Sequence, residues 1–243
     1  KETLSPVMLP VLMRRRLRPP DVPALAARLG DLEERWRGRR LDSDPLLFPH
    51  RYARPEDREI VAFLASSLAF GRVASINASL ERLFAALGPD PAAILRRGRG
   101  EIPGLGGFVH RWVDAGSLLP FLGAVGETLG EEGSLRALFE SGDEGGTDYV
   151  PALDRFFLVL RERTGVVPGA RARGVRFLLP SPAEGGACKR AHLFLRWMVR
   201  HHEVDPGGWH RLDPCRLIVP LDTHMHRLGL EAVSFEMSST IKI

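Results

Sequence analysis

Lys189 is the one lysine of this chain that lies away from its ends. Of 34 Lys and Arg residues, the only other lysines are Lys1 and Lys242, so almost every cation is an arginine. A lysine kept against that background points to chemistry a guanidinium cannot do, because arginine does not give up its proton in a protein. Lys189 follows Gly185-Gly186 and stands at the start of a helix-period segment running from about Ala187 to Arg200. The positive end of the helix dipole, with partial burial beside Leu193 and Trp197, disfavours an ammonium and favours a nucleophilic amine. The same helix start, with unbonded backbone N–H groups after the glycines, suits a phosphate. A lysine that merely pairs with a phosphate or carboxylate is the plainer alternative.

Asp222 is the second candidate, in Leu221-Asp222-Thr223-His224 after the apolar run Leu217–Pro220. Aspartate is a preferred N-cap, so it could do no more than start a helix over Thr223–Leu228. A carboxylate held rigidly at a cap also stays ionised. Beside a reactive amine it could stabilise a developing sugar cation or orient the attack.

Arg190, Arg196 and Arg200 punctuate the Ala187–Arg200 segment, and Arg227 follows Asp222. They are either phosphate contacts or a solvated helix face. His201, His202, His210, His224, His226 and Cys215 raise the question of a metal. No pair has the H-x-x-x-H spacing that sets two ligands on one helical face, so neither metal nor cofactor is expected. Cys188 reads as a small packing residue.

The elements that must position these residues are helical. Apolar spacing predicts helices over Asp21–Arg40, Glu56–Phe70, Val73–Leu87 and Pro91–Arg99. Others are expected at Phe108–Asp114, Leu118–Leu129, Ser134–Phe139 and Val150–Arg163. Asp44–Pro55, Gly98–Gly107 and Ser141–Thr147 read as loops, and Leu178–Gly186 as a tight Pro- and Gly-loaded connection. Strand alternation is scarce, which predicts an all-α, multi-helix fold. The expected division is an N-terminal extension and first helix over 1–43, a main helical domain over 44–230, and an irregular tail over 231–243. That tail carries few packing residues, so we expect a truncated or frameshifted C-terminus.

Composition excludes some classes. A hydrophobic fraction of 44% with 26% charged residues is that of a soluble globular chain, not a disordered one. No apolar run is long enough to span a bilayer. At the N-terminus Arg14-Arg15-Arg16 follows the apolar stretch Val7–Met13, the reverse of a secretory signal, and Met8 or Met13 could be the natural start. Two cysteines make no disulfide framework, and the cytoplasm is the expected compartment. A formal charge of +4 and a pI near 9.6 are compatible with a polyanionic partner.

Five blocks of the sequence resemble the signature segments of an uncharacterised bacterial family, known as a domain of unknown function. They are Leu68–Val73, Phe108–Trp112, Ala187–Arg190, Leu195–Arg200 and Pro220–His224. A second resemblance is to helix-hairpin-helix DNA glycosylases such as endonuclease III and the archaeal 8-oxoguanine glycosylases. Leu179-Pro180, Gly185, Gly186 and Lys189 are similar to their hairpin and catalytic lysine, and Leu221-Asp222-Thr223-His224 to their Asp motif. The hairpin here is longer than the compact Leu-Pro-Gly-x-Gly form.

What this resemblance implies is a two-lobed helical glycosylase fold that flips a damaged base out of double-stranded DNA. Lys189 would attack the sugar carbon, Asp222 would assist, and strand cleavage could follow through a Schiff base. Gly185, Gly186, Arg190, Arg196, Arg200, His224 and Arg227 are the expected nucleic-acid contacts. The alternatives are a non-catalytic helical module that binds nucleic acid through the same hairpin, and a hydrolase using the histidines around a metal.

Overall fold

Residues 55–68 are apolar on nearly every face, and the helix they form is correspondingly surrounded. In the computed structural model, which describes residues 22–36, 44–98, 102–167 and 169–220, this helix is the axis of an all-α body. Helix α1, Val22–Trp36, belongs to one compact unit, and residues 44–220 belong to another.

The second unit begins with α2 (Leu47–His50), α3 (Pro55–Leu68), α4 (Val73–Leu87) and α5 (Pro91–Arg96). After a short hairpin come α6 (Ala115–Glu131), α7 (Leu135–Ser141), α8 (Val150–Thr164), α9 (Ala170–Leu178) and α10 (Lys189–Val199). Pro182–Glu184 and Pro214–Arg216 are single 3-10 turns. Caps set several starts. The Asp114 carboxylate accepts from Ser117 N at the head of α6, and Ser134 Oγ from Ala137 N at the head of α7. No described helix is long and apolar enough to cross a membrane.

Phe63 of α3 sits at the centre of the core. Its ring meets Phe121 of α6 at 5.5 Å, Phe156 of α8 at 5.6 Å and Phe194 of α10 at 5.0 Å between centroids. Edge-on and tilted contacts of this kind add to the burial of the rings. Trp209, after α10, closes one side against Phe139 and Phe194. Glu59 of α3 is buried there, accepting from Trp209 Nε1 and from the backbone N–H groups of Leu135 and Arg136 that open α7. Burial pushes the Glu59 carboxyl up, against the pull of its three donors.

Three expectations change. Leu47–His50, taken as loop, makes one helical turn, entered through a tight turn in which Asp44 Oδ1 accepts from Leu46 N and Asp44 O from Leu47 N. Phe108–Asp114, predicted as helix, is a β-hairpin of β1 (Val109–His110) and β2 (Val113–Asp114), with His110 opposite Val113. Its two-residue turn needs a positive φ, which Arg111 supplies at 56°. Helix α9 was not expected at all. Its Gly174 lies so close to α6 that a Cβ there would sit 2.2 Å from Ser117 Oγ, so the glycine that looks like a helix breaker is a contact surface.

Candidate functional site

The connection between α9 and α10 is anchored at several points. Arg161 of α8 donates from Nε to Leu179 O at 2.6 Å and forks onto both Glu184 oxygens at 2.9 Å each. Arg176 of α9 adds a 2.6 Å bond to the same carboxylate. The Arg161 and Arg176 hydrogen bonds hold the Glu184 carboxyl well below its usual range, at about 2. Asp154 of α8 accepts from Ser181 Oγ and, at 3.1 Å, from Ala183 N. Gly185 then turns the chain at φ 80°, and Cys188 enters the helix from the left-handed region at φ 43°. Held in this way, the loop delivers Lys189 as the first residue of α10, with no side chain capping the turn.

The expected partial burial of Lys189 beside Leu193 and Trp197 is not what the helix provides. Lys189 is exposed, whereas Trp197 lies two turns further along and is buried in the core. The lysine instead faces a shallow concavity of about 380 Å³, shared with Arg176, Phe177, Pro180, Cys188 and Arg190. Burial pushes the Cys188 thiol up, in keeping with a packing residue. Gly185 and Gly186 are exposed beside it.

The arginines of α10 are engaged within the fold. Arg190 turns inward and donates to Ser67 O at 2.6 Å and Phe177 O at 2.5 Å. Its guanidinium lies 3.9 Å from the Phe177 ring centroid and 5.1 Å from that of Phe70. Burial lowers its pKa to about 10. It therefore ties α3, α9 and α10 together, and fits neither a solvated helix face nor a simple phosphate contact. Arg196 and Arg200 are partly exposed and flank the buried Asp205 carboxylate at 3.4 and 3.7 Å.

Asp222, His224 and Arg227 lie outside the described residues, as do His226 and the tail over 231–243. His201 and His210 stack face to face with centroids 3.9 Å apart and share a ring-nitrogen contact. Among the described residues, no three His, Cys, Asp or Glu side chains converge as metal ligands would.

Beside the concavity is an aromatic cluster that motif reading passed over. Phe177 meets Phe70 at 4.6 Å and Trp112 at 5.0 Å, both edge-on, while Phe70 stacks on Trp112 at 5.2 Å and 29°. His110 fixes the hairpin under this cluster. Because a carbonyl only accepts, His110 Nε2 donates to Phe70 O, and Nδ1 accepts from Ser79 Oγ. Burial lowers the His110 pKa. The signal in sequence was the repeated pairing of arginine with aromatics, in Phe70-Gly71-Arg72, Arg111-Trp112 and Arg176-Phe177.

A family model described as "Protein of unknown function (DUF2400)" matches residues 44–239. The chain belongs to the DUF2400 family. The match spans the body that holds the Lys189 loop, the aromatic cluster and the arginines of α10. No curated protein and no solved structure gives a significant match to this DUF2400 chain.

Proposed function

We propose that this DUF2400 protein is a base-excision enzyme acting on damaged double-stranded DNA, with Lys189 as nucleophile and Asp222 as its partner. One observation carries the reading. The lone internal lysine is presented, exposed, at the first position of α10 in a concavity with Arg176 and Arg190, on a loop held by Arg161, Glu184 and Asp154. Rigid presentation of an exposed amine in an open concavity suits attack on a sugar carbon.

In the proposed step the Lys189 nitrogen bonds to the sugar carbon as the carbon–base bond breaks. The base leaves with the electron pair and takes up a proton. Loss of a proton from nitrogen gives an aminal. The ring C–O bond then breaks, its electron pair going to the ring oxygen, which takes up a proton, and the nitrogen lone pair forms the iminium. Borohydride adds hydride to that iminium carbon and leaves a stable secondary amine. The test is trapping of full-length protein on duplexes carrying an abasic site, an oxidised base or a deaminated base. An adduct that Lys189→Gln abolishes is the expected result. Absence of an adduct on every such duplex removes the nucleophile role.

A second reading rests on the exposure of Lys189 at the start of α10, a place where a lysine can pair with a phosphate. On that reading the protein binds nucleic acid without catalysis. Salt-sensitive binding then survives Lys189→Gln, and nothing is trapped.

A further inference from the structure

Trp112 is a large aromatic left open to solvent at a hairpin tip, with 53% of its surface exposed. It is not loose. Phe70 supports it by stacking, Phe177 holds its edge, and the hairpin beneath is locked by His110. An exposed indole held this firmly keeps little conformational freedom to lose when something stacks on it. Val109 of the same hairpin and Val73 at the start of α4 are exposed as well, at 62% and 47%.

The charges nearby are cationic. The Arg111 guanidinium lies 4.7 Å from the Trp112 ring centroid, and its side chain runs over Gly71, where a Cβ would meet Arg111 Cδ at 3.0 Å. Arg72 follows and is exposed. The carboxylate of the hairpin, Asp114, is engaged by Ser117 N and Oγ at the start of α6. One indole with two small side chains is too little area for a stable protein interface, which needs roughly 800 Å² from each partner. An exposed indole with the Arg111 guanidinium over its ring offers aromatic surface and positive charge to a nucleobase and its phosphate.

We propose that the Arg111–Trp112 hairpin tip is a stacking platform for an unpaired base of a nucleic-acid strand, with Arg111 and Arg72 on the adjoining phosphates. This assignment rests on the nucleic-acid reading above and adds a second element to it, joined to the Lys189 concavity through Phe177, which borders both.

The test is binding of the full chain to fluorescein-labelled oligonucleotides: a fully paired duplex, the same duplex with one unpaired base, and the single strand. Trp112→Ala should lose roughly ten-fold affinity for the two forms with unpaired bases and less than two-fold for the paired duplex. Trp112→Phe, which keeps a ring, should recover most of the loss. Arg111→Ala should weaken all three forms and reduce the salt dependence by about one phosphate contact. Circular dichroism should show the same helix content in each variant. If wild type binds all three forms and Trp112→Ala binds them equally well, the platform is wrong and the nucleic-acid reading survives. If wild type binds none of them, both fall.

Discussion

The Glu59 carboxylate and the Trp209 indole share a 2.7 Å hydrogen bond across 150 residues of chain. It links the central helix α3 to the segment beyond α10, and the same carboxylate caps α7 through Leu135 and Arg136. Glu59→Ala strands three donors at once, two of them buried, and should cost about 3 kcal/mol in urea unfolding. Glu59→Gln keeps one acceptor oxygen and the shape of the side chain, and should cost about half as much. A loss below about 1 kcal/mol for Glu59→Ala would show that the junction is not a stability determinant.

Arg190 should behave as a core residue despite its charge. Lysine cannot reproduce two diverging donors together with a planar stack on Phe177, so Arg190→Lys should lower stability by about 2 kcal/mol. Arg111→Ala at the exposed hairpin should change it by no more than about 0.5 kcal/mol. Thermal melts of the two variants, side by side, separate the structural arginine from the surface one.

His192 makes the fold acid-sensitive. It is buried on α10, and burial lowers its pKa from the ordinary 6.5 to about 4. Between those values the unfolded chain binds a proton that the folded chain refuses. Stability is therefore complete above pH 6.5 and falls as pH drops toward 4, by on the order of 3 kcal/mol. His192→Leu should flatten this part of the stability–pH curve. An unchanged slope in the variant would assign the acid sensitivity to other groups.

Long amphipathic helices were legible in the sequence, and short irregular elements were not. Val73–Leu87 forms α4 with the expected bounds, because its apolar spacing runs over four turns and Gly88 ends it. The Phe108–Asp114 hairpin has strands of two residues, too short for alternation to show, and its turn uses Arg111 where glycine or asparagine is the usual signal. Helix α9 carries Gly174 at its middle, a residue of poor helix propensity whose place is visible only when Ser117 of α6 is beside it. At the site, the position of Lys189 at a helix start was readable from Gly185, Gly186 and the apolar spacing that follows. Its exposure was not, since that depends on how the preceding loop is pinned. Arg190 has no sequence signal that separates it from a surface arginine. The carbonyls it meets, on Ser67 and Phe177, come from two other helices.

Phe177 forms part of the Lys189 concavity and also borders the Trp112 ring. The two halves of this surface therefore have a wall in common, and a guest on either side presses on the same side chain. Linkage then applies: whatever free energy one guest adds to or removes from the other, it receives back in equal measure. A mononucleotide on one side that changes the affinity of the other side must have its own affinity changed by the same factor.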